Sequence, residues 1–187
     1  MRAGVVHAAL AVVLVAGGVA VNQYERYGVN ARSFVTHGEV GEELAVWPGA
    51  ATVHGLRSAT LLETELSEGL TTDGLWVAVD VSVVGGDQPG RAPTVTLVDR
   101  EGRTFEETNR VSGGVGSTYF GRAAPGSPVR GEIVLEVPKS AVGPVTVVVA
   151  ERSDGNAGGE AHVRAELPRP ELASIEPAEP TLGPVRP

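Results

Sequence analysis

The sequence predicts an all-β protein, an antiparallel β-sandwich of seven or eight strands over residues 36–167, with an apolar segment before it and a proline-rich tail after it. Three observations predict this. Apolar residues alternate with others at period two in several short runs, the pattern of strands with one buried face. Glycine- and aspartate-rich turn signals separate these runs at close spacing. No run of helical period stands between them, which favours a sandwich over a parallel sheet with crossover helices.

The chain opens on "AGVVHAALAVVLVAGGVAV", residues 3–21, in which His7 is the one strongly polar side chain. As a helix this run reaches about 28 Å, close to the ~30 Å of bilayer hydrocarbon. Residues 1–21 are therefore expected to form an N-terminal transmembrane helix or uncleaved signal anchor. Arg2, the apolar middle and the small residues "GVA" at 18–20 also fit a signal peptide that is removed. The length of the run, and Tyr24 and Tyr27 placed where interfacial aromatics sit, favour retention. Either way the rest of the chain is exported. Large domains cross with little regard to flanking charge, so residues 22–35 read as a stem and the sandwich as extracytoplasmic.

The strands are taken in chain order. "EELAVW" (42–47) and "ATVHGLRSATLLETEL" (51–66) supply the first two or three. "LWVAVDVSVV" (75–84) places Leu75, Val77, Val79, Val81 and Val83 on one face and Trp76, Ala78, Asp80 and Ser82 on the other. "TVTLVD" and "RTFEE" flank "REG", where Gly102 can supply the positive φ of a short hairpin. In "VRGEIVLEVP", Val129, Gly131, Ile133, Leu135 and Val137 share a face, and Pro138 ends the ladder. "VTVVVAE" (145–151) and "AHVRAEL" (161–167) form a hairpin through "RSDGNAGG". The last twenty residues hold six prolines and no period, so 168–187 are expected to be a disordered tail or linker of polyproline II character.

Composition narrows the function. Acidic residues outnumber basic ones 23 to 15, and Lys139 is the only lysine; such a field repels polyanions, so no nucleic-acid partner is expected. The absence of cysteine removes disulfides, thiolate zinc sites, a lipidated N-terminal cysteine and cysteine nucleophiles.

Together "LWVAVDVSVV", "VTLVDREGRTFEE", "PGSPVRGEIVLEVPKSAVG" and "VTVVVAE" resemble the bacterial exported immunoglobulin-like family with a telokin-like sandwich, which includes the small immunogenic secreted proteins of mycobacteria. The resemblance covers roughly residues 36–167 and is most specific at "LVDREG" and "PG…V.GEIVLEVP", both structural motifs. It implies an antiparallel immunoglobulin-like sandwich outside the membrane, tethered or secreted, with no known catalytic residues. The chain departs from lipid-anchored members in lacking a cysteine near its start, and "SGGVGSTYFGRAA" is a long insert.

No motif for chemistry stands out. "SGGVGST" lacks the lysine of a phosphate-binding loop. His7, His37, His54 and His162 are far apart, so a metal site would have to be assembled wholly by the fold. No G-x-S-x-G occurs, and the adjacent pairs Glu42/Glu43 and Glu106/Glu107 point to opposite faces of a strand. No catalytic, cofactor-binding or metal-ligating residue is therefore assigned, and no cofactor is expected. Candidate partner contacts are Trp76, Tyr119 and Phe120, aromatics of the type that anchor interfaces, although a neighbouring strand or folded-over loop would cover them equally well. The expected function is a membrane-anchored extracytoplasmic domain that binds another cell-envelope protein, without catalysis. The alternatives are a secreted soluble form after signal cleavage and an unrecognised secreted hydrolase.

Overall fold

The structure, a computed structural model, describes residues 34–46, 48–64, 67–87, 89, 92–111, 120, 121, 123–151, 159–170 and 172–183. The predicted membrane helix and most of the stem lie outside the described residues, as do Trp47, the "SGGVGSTY" loop with Tyr119 and the turn at 152–158. Among the described residues no helix is long and apolar enough to cross a membrane.

Two sheets make a sandwich. The strands are β1 (Val35–Glu39), β2 (Glu43–Val46), β3 (Gly49–Thr64), β4 (Ser67–Val84), β5 (Pro93–Asp99), β6 (Thr104–Glu106), β7 (Val129–Val137), β8 (Gly143–Glu151), β9 (Glu160–Leu167), β10 (Leu172–Ile175) and β11 (Thr181–Leu182). A 3₁₀ turn, Lys139–Ala141, stands between β7 and β8. One sheet runs β1-β9-β8-β5-β6; the other runs β10-β3-β4-β7-β11, with β2 also on β3.

The period-two reading places the core correctly. Val77, Val79, Val81 and Val83 of β4 and Ile133, Leu135 and Val137 of β7 bury into one cluster with Val145, Val147 and Val149 of β8. Each such side chain contributes about 1.5–3 kcal/mol relative to exposure. The predicted hairpins also form, β8 with β9 and β5 with β6. The second turns as the sequence requires, with Gly102 at φ +77°. Asp99 fixes that turn: its Oδ1 accepts the Glu101 and Arg103 amides at 2.9 Å each, and its Oδ2 accepts Arg103 Nε at 2.7 Å.

Three expectations change. The described residues contain eleven strands rather than seven or eight, because β1, β10 and β11 carry no alternation strong enough to show in the sequence. The pairing is not wholly antiparallel: β1 lies parallel to β9, and β10 parallel to β3, both at sheet edges where a chain end can be laid in either direction.

The third change concerns the tail, which in its described part is not free. β10 and β11 sit at opposite edges of the six-stranded sheet, so the few residues between them form a strap from one edge to the other. Ile175 and Pro177 are buried. Ile175 closes a second apolar cluster with Ala59, Leu62, Trp76, Ala78 and Val134, on the β4 and β7 face opposite the main core. Glu132, only 5% exposed, clamps the strap. Its carboxylate accepts Arg57 Nη2 at 2.6 Å and the Ala178 amide at 2.7 Å, while its own amide donates to the Ala178 carbonyl. A buried carboxylate is tolerated only when paired and hydrogen-bonded in this way. Composition predicted disorder because proline-rich chain lacks apolar mass; a short strap needs only enough to cap a sheet already built.

Candidate functional site

Polar side chains gather at a cleft of ≈ 560 Å³, lined by Thr71, Thr72, Asp73, Gly74, Phe105, Arg110, Glu136, Val137 and Pro138. It exists because the β3–β4 ladder breaks. Ala59 pairs with Trp76 and Leu61 with Thr71, so four residues of β4 face one of β3. A bulge of this kind bends the strand and re-aims its side chains. Gly74 lets the bulged strand approach β7, since a Cβ there would run into the Val137 carbonyl oxygen. Gly74→Val is accordingly expected to cost about 1–3 kcal/mol through overpacking, read as a lowered urea midpoint; an unchanged midpoint would contradict this close approach.

An ion pair organises the wall. Arg110 Nη1 donates to Glu136 Oε1 at 2.7 Å, and the Thr72 hydroxyl donates to the same oxygen at 2.6 Å. The Arg110 guanidinium lies 5.1 Å from the centre of the Trp76 ring, a cation–π distance. Trp76 is in turn held by its indole N–H, which donates to the Leu70 carbonyl at 2.7 Å. Phe105, half-buried on β6, lines the same cleft and carries Arg103 at 5.9 Å.

These contacts set the charge. Burial works against ionisation of Glu136, but the Thr72 hydroxyl and the Arg110 guanidinium outweigh it and hold its pKa below the ordinary 4.5. Burial likewise opposes ionisation of Asp99, and the hydrogen bonds from Arg103 and the Glu101 amide bring it below 3.8. A carboxyl depressed in the folded state stabilises the fold above its unfolded pKa, and that contribution is lost as pH falls through the folded value. Urea midpoints are thus expected to hold down to about pH 5 and fall below it, with Asp99→Asn lowering the midpoint at neutral pH and flattening the acid limb. Parallel acid limbs for parent and variant would refute this.

The predicted contact residues have other roles. Trp76 is 0% exposed, covered on its sheet face by the strap and hairpin residues of the second cluster, so it supports the cleft wall without meeting a partner. Phe120 is 2% exposed and belongs to the main core. Neither is a surface anchor, and Tyr119 lies outside the described residues. Arg110, Asp73 and Phe105 escaped the sequence reading because no spacing links them. Glu136 was legible only as a residue on the polar side of its strand.

Two other juxtapositions were invisible in sequence. The parallel β1–β9 register sets His37 beside His162, ring centres 5.3 Å apart, with Glu160 Oε2 3.1 Å from His162 Nε2. Among the described residues, however, no three His, Cys, Asp or Glu side chains converge as a metal site. His54 Nε2 lies 2.9 Å from the Ser82 hydroxyl. Burial, and then Arg130, lower the His54 pKa against the opposing effect of Asp80. Asp80 does not complete a triad, since both of its oxygens accept Arg130, at 2.9 and 2.6 Å.

No protein-family model matches the chain, and no curated protein matches it. Among solved structures, an uncharacterized β-sandwich protein from Clostridium difficile 630 is similar, at 9% identity and a TM-score of 0.43, over 71% of this chain and 95% of that one. The sandwich described above rests on this chain's own strand pairing.

Proposed function

We propose that the protein is an immunoglobulin-like binding domain, held outside the cell membrane by its N-terminal segment, that meets another cell-envelope protein at the cleft and performs no catalysis. The immunoglobulin-like reading draws on strand order. β3-β4-β7-β11 opposite β9-β8-β5-β6 follows the ABED and GFC arrangement of such sandwiches, with the C-terminal β11 in the place of strand D. The observation that carries the binding reading is the pre-formed Arg110–Glu136 pair, fixed on Trp76 at the wall of a cleft large enough for part of a partner.

A photo-crosslinking residue placed at Thr71, on the lip, is expected to capture a discrete envelope protein in intact cells, whereas one at the exposed Arg164 on the other sheet captures none. Glu136→Ala, which dissolves the Arg110–Glu136 pair, should abolish the Thr71 adduct while leaving the fold intact. Equal adducts from both positions would defeat the reading. Membrane fractionation with protease accessibility tests the location, and the intact mass of the exported form separates an anchored from a secreted protein.

A second reading, a secreted hydrolase, has one observation in its favour, the His54–Ser82 contact, which pairs a base with a hydroxyl. Labelling of Ser82 by a fluorophosphonate, lost on His54→Ala, would establish it. Under the binding reading Ser82, nine-tenths buried, stays unmodified.

A further inference from the structure

We propose that the group received by the cleft is a basic side chain, the guanidinium or ammonium head of an arginine or lysine carried on its aliphatic stem by a partner polypeptide. This rests on the binding reading and adds the chemistry of the ligand.

The charges of the wall are unequally used. Glu136 Oε1 already accepts both Thr72 and Arg110, while Oε2 accepts no hydrogen bond from the described residues. The Glu136 side chain stays 31% exposed at the cleft. Arg110 is committed on both arms, Nη1 to Glu136 and Nη2 to the Thr71 carbonyl at 3.4 Å, with its guanidinium over Trp76. The cation in the wall is therefore satisfied and one carboxylate oxygen is not.

Asp73, on the bulge and exposed, adds a second carboxylate with no partner among the described residues. Against these acceptors stand Phe105, Val137 and Pro138, an apolar wall for a methylene stem. A bare ion would leave that wall and most of the ≈ 560 Å³ unused. An anion would meet two carboxylates and an arginine whose charge is already matched. An arginine fork on a long stem uses the free oxygens and the apolar wall together, and a chain of net charge −8 draws such a group in.

The test is titration of the full-length chain in nonionic micelles, monitored by ¹H–¹⁵N spectra, with Nα-acetyl-arginine amide, Nα-acetyl-lysine amide and the neutral isostere Nα-acetyl-citrulline amide. Arginine and lysine derivatives are expected to shift the amides of Thr72, Asp73, Gly74 and Glu136 in a saturable way, and citrulline to leave them in place. Asp73→Asn, which breaks no contact among the described residues, should weaken binding about tenfold, as should Glu136→Gln. Citrulline binding as tightly as arginine, shifts elsewhere on the surface, no shift at all, or binding of spermidine with none of the amino-acid amides would each overturn the proposal. If a Thr71 adduct still forms in cells when the basic amides do not bind, the ligand chemistry is wrong and the binding reading survives.

Discussion

Replacing Val79 with aspartate abolishes the folded sandwich. Val79 is fully buried in the middle of β4, paired with Leu56 on one side and Ile133 on the other, and it faces the main core. A carboxylate there has no cation within the apolar cluster. It must either ionise unpaired or take up a proton, and the effective penalty is several kcal/mol, on top of the lost Val burial of about 1.5–3 kcal/mol. Domains of this size have only about 5–15 kcal/mol to lose. The expected result is the absence of a cooperative urea transition and a collapsed near-ultraviolet circular dichroism signal at neutral pH. Val79→Ala, which leaves a small cavity without a charge, should still fold with a midpoint lowered by about 2 kcal/mol in stability. An aspartate variant that melts like the parent would mean that this face of β4 is not where the two sheets meet.

The face of β4 could be read in advance because a half-buried strand imposes a period of two on its own sequence, independent of partners. The same holds for Val129 to Val137 and for the β8–β9 hairpin, whose side chains face a large apolar layer. Trp76 shows where that legibility stops. Its side of the strand was readable, but whether a partner or this chain covered it depended on a segment about a hundred residues later with no period of its own. One signal did exist: Ala78 on the same face and Val134 on the opposite face of its own alternation are apolar, more than a solvated surface calls for. The cleft was less legible still. It needs the four-against-one bulge of β4, an arginine from the chain after β6 and a glutamate from β7, brought together only by the folded register. The parallel edge strands share this difficulty, since backbone pairing at an edge constrains side chains little.

Deleting residues 168–187 tests the strap directly, and the expected effect is second in size only to that of a charge in the core. The deletion removes Ile175 from the second cluster and the buried Pro177 beside it in sequence, opening the cover over Trp76, Ala78 and Val134. It also removes the Ala178 amide from the Glu132 carboxylate, the Ala178 carbonyl from the Glu132 amide and the Pro168 carbonyl from the Ser58 hydroxyl. Apolar burial of about 1.5–3 kcal/mol is lost, together with these hydrogen bonds, that from Arg57 Nη2 to the Glu176 carbonyl and the pairing of β10 with β3 and β11 with β7, at about 0.5–1.5 kcal/mol a bond. The freedom regained by the strap backbone offsets a large part of this, so the net destabilisation should be about 2–4 kcal/mol. The shortened protein should keep its two sheets, because the main core lies on the other face of β4 and β7. It should bind anilinonaphthalene sulfonate and self-associate in sedimentation, since the uncovered patch is apolar. Ile175→Asp in the full-length chain should reproduce the dye binding and most of the lost stability. If both proteins kept the parental midpoint and bound no dye, the strap would be an ornament on a finished sheet, and Trp76 would owe its burial to the β3–β4 hairpin alone.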